Sequence, residues 1–341
     1  MNRKKNTRAV AALLCGALLA LVLLSGCSAS AEPVKAQGKS YFTYFDTVTY
    51  IYSYAGDSAE RFSDCSAEIA DMLGEYHQLF DIYHEYSGIN NLCTVNKMAG
   101  GEAVTVDARL MEFLLYAKEL YELTGGEMNV MMGSVLTLWH NAREAASEDP
   151  KNAYVPAEED LAEAAKHTDI SLLELDEENN TVRISDPLAS IDVGALGKGY
   201  ATEMAARWLE ADGALGYVLN VGGNIRIVGT KPDGSGWVTG VKDPANTEQF
   251  AVKLMLTDTS CVTSGSYERY YTVDGGPRSS LRTITALLRS SSRTARLPTR
   301  SPRRFSACPM RTAPLWPKVS AQRFCGYSRT VRSGIPPGWK N

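Results

Sequence analysis

The residues best suited to chemistry sit in one run, Ile191-Asp192-Val193-Gly194-Ala195-Leu196-Gly197-Lys198-Gly199-Tyr200. A carboxylate, three glycines and a lysine are gathered there, between what reads as a strand and a helix. Glycines let backbone approach a ligand closely, and the N–H groups at the start of a helix favour phosphate. The run is not a Walker A loop, because the Gly-x-x-x-x-Gly-Lys-Ser/Thr spacing fails. On these residues alone, phosphate or nucleotide binding and a plain tight turn both fit. Other candidates are weaker. Trp139-His140 offers an imidazole with no evident partner acid and reads as structural, while His77, His84 and His167 fall on ordinary helical or turn stretches. The seven cysteines form no C-x-x-C pair or zinc-like spacing, which argues against a metal–thiolate site. Apart from Cys15 and Cys27, they read as buried small hydrophobes.

Hydrophobic period places these residues on elements. Tyr41 to Tyr54, rich in Tyr, Phe, Thr and Val, predicts a strand. Phe62, Cys65, Ile69, Met72, Leu73, Tyr76, Leu79 and Phe80 recur at helical spacing, so Ser58 to Phe80 is an expected amphipathic helix. A second helix carries Leu110 to Tyr121 and stops at Gly125-Gly126. A third spans Glu158 to Lys166 and a fourth Gly199 to Leu209. Leu172 to Ile184 reads as two strands around Glu177-Glu178-Asn179-Asn180, and Tyr217 to Val228 and Val252 to Leu256 as further strands. Helices and strands interleave without a βαβ rhythm, so the expected fold class is α+β with a mixed sheet.

The N-terminus carries an address. Arg3, Lys4, Lys5 and Arg8 precede an apolar run from Ala9 to Leu24, followed by Ser25-Gly26-Cys27. This is the layout of a secretory signal, and the run is shorter than the roughly 20 apolar residues of a membrane span. Leu24-Ser25-Gly26-Cys27 resembles the bacterial lipobox, in which Cys27 becomes the lipidated first residue of the mature protein. The expected organisation is a signal peptide over 1–26, lipidated Cys27 and a linker over 27–40, a working domain over 41–276 and a separate tail over 277–341. The domain then sits on the extracytoplasmic side of the cell membrane.

Charge separates the last two parts. The tail holds 12 Arg, 2 Lys and no acid, which leaves 21 basic and 39 acidic residues in 1–276. An acidic body of this kind is not a nucleic-acid binder by charge.

Six segments, in order, resemble the FAD:protein FMN transferases of the ApbE family. Phe45-Asp46-Thr47 stands where that family has Met-Gly-Thr, and Ser87 to Asn96 matches its Ser-containing segment ending in Asn. Thr124-Gly125-Gly126 precedes Glu127-Met128-Asn129, in place of an Ala-Phe-Asp-type flavin loop. Asp192 to Tyr200 matches D-x-G-A-x-x-K-G-Y, Asn220 to Arg226 matches Asn-x-Gly-Gly-Asp-Ile-Arg, and Thr263 to Arg269 matches Thr-Ser-Gly-x-Tyr-Glu-Arg. The resemblance implies Mg²⁺-dependent transfer of FMN from FAD, with AMP released, onto a Thr hydroxyl of a target flavoprotein. Carried over by position, it puts FAD contacts on Phe45, Glu127, Met128, Asn129, Asp192 and Lys198, and a metal-ligating oxygen at Ala195. Two departures stand out: Asn129 and Asn224 replace family aspartates. A hydrolase that splits FAD to FMN and AMP, and a non-catalytic flavin-binding lipoprotein, are the alternative functions.

The family pattern continues with a His-rich segment and an Asp-Ala-Leu-Ser-Thr metal motif, and neither stands in the tail. Reading one base earlier from Arg293 to Cys308, with one choice of synonymous codons, gives DSALADALSTALFCM, which contains the missing motif. The tail is therefore expected to be a frameshifted segment that does not pack, in a chain of impaired activity.

Overall fold

The computed structural model describes residues 36–243, 246–262, 270–273 and 276–278. The expectations for the signal peptide, Cys27, the Thr263–Arg269 motif and the tail beyond 278 lie outside these residues. The fold class is α+β, with helices and antiparallel sheets. The described residues divide into two compact units, one of those up to residue 73 together with 202–262, the other of 74–201 together with those from 270 to 278.

The first unit is built on an antiparallel sheet of order β1-β2-β6-β7-β10, from β1 (Gln37–Tyr41), β2 (Thr49–Ser53), β6 (Tyr217–Val221), β7 (Asn224–Val228) and β10 (Ser260–Val262). Alternation decides which face is covered. In β2, Thr49, Ile51 and Ser53 are buried while Tyr50 and Tyr52 face out, and Ile51 pairs with buried Leu219 of β6. Helix α1 (Ala59–Phe80) lays Phe62 against the Tyr217 ring at 6.3 Å, and Leu209 of α6 (Gly197–Ala211) is fully buried. Fully burying side chains of this size contributes roughly 1.5–3 kcal/mol each.

Two expected strands are in fact broken, for backbone reasons. The strand over 41–54 is interrupted by Phe45 and Asp46, both at positive φ (54° and 50°), which no extended strand accommodates. The strand over 217–228 is a hairpin. Gly222 and Gly223, at φ 55° and 87°, make a two-residue turn of the kind that needs positive φ twice. A second hairpin, β8 (Trp237–Asp243) with β9 (Asn246–Leu256), extends the strand expected at 252–256 and adds a partner that sequence reading passed over.

The second unit holds α2 (Leu92–Lys97), α3 (Ala108–Leu123), α4 (Gly133–Glu148), α5 (Glu158–Ala164) and an antiparallel sheet of β3 (Val104–Thr105), β5 (Thr181–Ile184) and β4 (Leu173–Asp176). The β4–β5 hairpin turns at Glu177–Asn180, as expected. Helix α4 was not expected. Its buried Val135, Trp139 and Ala142 pack with Leu161 and Tyr271, so it is a core helix. Trp139 is accordingly structural, as its sequence context implied. Cys65 and Cys93 are buried, and Cys261 is half-buried. Among the described residues no helix is long and apolar enough to cross a membrane.

Candidate functional site

In the second unit, hydrogen bonds bring together Asn96, which ends one motif segment, Asp192, which opens another, and Val130, which directly follows a third. The stretch preceding the glycine loop is not a strand, as the sequence suggested, but an extended segment held on both sides. On one side Asp192 N donates to Val130 O at 2.8 Å and Gly133 N donates to Ser190 O at 3.1 Å. On the other, the Asn96 amide clasps Ile191 from both ends: Nδ2 donates to Ile191 O at 2.9 Å, and Ile191 N donates to Oδ1 at 2.7 Å. Gly133 is required there, because a Cβ would collide with Ser190.

From this anchored point the loop turns. Asp192 Oδ1 accepts from Gly194 N at 2.8 Å, which folds residues 192–194 back toward the start of α6. Gly194 and Ala195 are exposed, and Lys198 is the second residue of the helix. A carboxylate near a helix N-terminus is favourably placed against the helix dipole. The helix start is fixed from beneath by Tyr200, buried among Phe113 (5.0 Å), Tyr116 (5.6 Å) and Tyr76 (5.9 Å). Gly197 lies close enough to Phe80 that a Cβ there would sit 3.1 Å from the ring. The glycine at 197 thus allows the helix to seat on the aromatic cluster, and the backbone at 194–195 stays open to solvent.

The Glu127-Met128-Asn129 loop follows the end of α3. Thr124 Oγ1 donates to Leu120 O at 2.7 Å and accepts from Met128 N at 3.0 Å, so the Thr caps the helix and aims the loop. Glu127 is exposed, and Met128 and Asn129 are half-buried. Asn129 explains its own departure from the family aspartate. Its Oδ1 accepts from Met131 N at 2.9 Å, and its Nδ2 donates to Thr168 O at 2.7 Å. A carboxylate could make the first bond but not the second. Asn224 behaves alike, its Nδ2 donating to Val221 O at 3.1 Å.

Upstream of Asn96, Asp81 organises the chain. Its side chain accepts from Tyr83 N (2.7 Å), His84 N (3.0 Å) and Tyr86 Oη (2.9 Å), with His84 Nδ1 at 3.1 Å. Burial alone would raise this carboxyl, but the two backbone N–H groups, Tyr86 and His84 outweigh it and hold it below the usual carboxylate range. Buried Asn91 then caps α2, accepting from Thr94 N at 3.1 Å and donating to Gln78 O and His84 O. Exposed Tyr83 stacks on His140 at 5.0 Å, and Arg143 stands 2.9 Å from His140 Nδ1. His140 therefore pairs with an aromatic and a cation, which is not the setting of a general base. Sequence reading passed over Asp81 and Asn91, since neither stands in a pattern that announces its partners.

In the first unit two further segments meet. Gly222 N donates to Val48 O at 3.1 Å, and a Cβ on Gly222 would collide with the Thr47 side chain, so the Phe45-Asp46-Thr47 turn lies against the Gly222-Gly223 turn. Phe45 is half-buried in a left-handed conformation that costs a non-glycine residue about 1 kcal/mol or more. Arg226, the last residue of the same motif, is committed to carboxylates: Glu203 at 3.0 Å, Glu210 at 2.7 Å and Asp258 at 3.1 Å.

For Mg²⁺, the described residues do not make a site by themselves. Among them there is no group of three His, Cys, Asp or Glu side chains placed to hold a metal, and the ion demands near-octahedral oxygen coordination.

The ApbE family model matches residues 44–281, and the chain belongs to the ApbE family. The FAD:protein FMN transferase of Vibrio cholerae is 27% identical over 261 residues, covering 76% of this chain and 74% of that protein. The FAD:protein FMN transferase of Haemophilus influenzae is 26% identical, covering 74% and 71%. Among solved structures, the ApbE protein of Thermotoga maritima superposes with a TM-score of 0.61 at 28% identity, over 71% of this chain and 74% of that one.

Proposed function

We propose that the chain is a flavin transferase that takes FMN from FAD and attaches it to a target flavoprotein. The observation that carries this reading is the hydrogen-bonded junction at the start of the Asp192–Tyr200 segment, where Ile191 bonds Asn96, the end of Ser87–Asn96, and Asp192 bonds Val130, the residue that follows Thr124–Asn129. Family membership and relatives named for this activity support it.

The finer points rest on the motifs. The acceptor is a Thr hydroxyl and AMP leaves; Mg²⁺, where bound, would polarise the FAD pyrophosphate, and of this chain's residues the motif offers it an oxygen at Ala195. Phosphoryl transfer depends mostly on positioning and on stabilising charge at the phosphates. The exposed backbone at Gly194–Ala195 and the N–H groups opening α6 suit the pyrophosphate, with Lys198 supplying positive charge. The motif resemblance assigns FAD contacts to Glu127, Met128 and Asn129, and in the first unit to Phe45, and a metal-ligating oxygen to Ala195. Lacking the C-terminal motif, the chain as written transfers slowly. Lipidation of Cys27 holds it at the outer face of the cell membrane.

Titration of FAD by flavin fluorescence tests the binding half. The chain is expected to bind FAD, and Lys198→Ala and Asp192→Ala are each expected to weaken binding at least tenfold. Unchanged affinity in both variants would move the site elsewhere.

A further inference from the structure

We propose that Asn96 is the positioning residue for the Asp192–Lys198 loop, setting FAD affinity without touching FAD; the inference rests on the flavin-transferase reading above. Asn96 and Ile191 are 95 residues apart in sequence, yet one side-chain amide satisfies both backbone groups of Ile191, at 2.9 and 2.7 Å. The pattern imitates a β-ladder. Backbone from Val130 and Gly133 pairs with Ser190 and Asp192 on one edge, and the Asn96 amide takes the place of a strand on the other. Ile191 is itself buried, at 1% exposure, so an unmade bond there has no water to replace it.

The consequence passes straight down the chain. Ile191 precedes Asp192, whose carboxylate fixes Gly194 and hence the exposed turn that opens α6. An amide suits this work, because Ile191 presents one donor and one acceptor and the amide carries a separate partner for each. A carboxylate at position 96 would receive the N–H but would set two acceptors against each other at the carbonyl. Asn96 is held in turn at the end of α2, whose start Asn91 caps from a fully buried position. The loop thereby inherits the rigidity of a helix that carries none of the ligand-binding candidates.

The test compares the full chain with Asn96→Asp, Asn96→Ala and the control Val182→Ala, which removes buried volume from the centre of β5 in the same unit. Three quantities are measured: thermal midpoint, FAD affinity well below that midpoint, and hydrogen exchange of the Ile191 and Gly194 amides. The expected result is a fall in FAD affinity of at least tenfold in both Asn96 variants, with faster exchange at the Gly194 amide in both and at the Ile191 amide in Asn96→Ala. Val182→Ala should lower the midpoint comparably and leave affinity within twofold. Wild-type affinity in Asn96→Asp would overturn the inference while leaving the flavin reading intact. An equal loss in Val182→Ala would overturn it too, by showing that affinity follows general stability. Failure of the unaltered chain to bind FAD would remove the flavin reading, and the inference with it.

Discussion

At the scale of single residues, much of the site is backbone geometry enforced by side-chain amides and carboxylates. Asp81 is the clearest case. Its carboxyl is held below the usual carboxylate range, so the sign of its contribution is fixed: stability is present above the unfolded value of 3.8 and lost as pH falls through the lower folded one. Asp81→Asn keeps an acceptor for Tyr83 N or His84 N but loses the charge. It is expected to cost about 1.5–3 kcal/mol at pH 7, and to differ less from the parent at pH 3, by urea denaturation at both values. The asparagines at 129 and 224 teach a related point. As departures from a motif they looked like lost carboxylates, yet each amide donates a hydrogen bond to a backbone carbonyl, at Thr168 and Val221, that an ionised acid could not make. A motif shows which residue type stands at a position, but the partner that decides its role can lie forty residues away.

At the scale of elements, helix period carried α1, α3 and α6 to within a few residues, and the β4–β5 hairpin followed from its turn residues. The errors have physical causes. Tyr41–Tyr54 and Tyr217–Val228 look continuous in β propensity, but positive-φ residues interrupt each one. Helix α4 begins at a glycine, and the asparagine that caps the helical turn leading into it, Asn129, stands four residues upstream within a segment read as a flavin loop. Arg226 links β7 to α6 and to the turn at Asp258, and its partners, Glu203 and Glu210 on one helix and Asp258 on a distant turn, are not joined to it by any spacing rule. Removing it leaves those three carboxylates facing one another. Arg226→Met is expected to cost about 1–3 kcal/mol, because it strands the largely buried Glu203 carboxylate while solvent relieves the more exposed Glu210 and Asp258. Burial already raises the Glu210 carboxyl, with Arg226 opposing it. Without the arginine Glu210 takes up a proton more readily, so the deficit should narrow as pH falls from 7 toward 5. Equal deficits at the two pH values, in parallel denaturation curves, would count against this network.

At the scale of the whole molecule, charge is unevenly placed along the sequence: residues 277–341 hold 12 Arg, 2 Lys and no acid, against 21 basic and 39 acidic residues in 1–276. The latter stretch carries five of the six motif segments among its described residues: three in one unit and two in the other. Family membership was legible from the order of those segments, because order is preserved where single residues drift. The contacts within the units were not, since hydrogen bonds such as Asn96 to Ile191 depend on folding over 95 residues. The central claim is that this chain attaches flavin to protein, and the most direct measurement follows protein-bound fluorescence after denaturing electrophoresis. The chain as written, and a version with the shifted frame restored, are each incubated with FAD, Mg²⁺ and a flavin-free acceptor flavoprotein. The expected result is a fluorescent acceptor band that needs FAD, is not produced from FMN, and forms at least tenfold faster with the restored chain. Release of free FMN and AMP by both chains, with no labelled acceptor, would contradict it and identify a hydrolase instead.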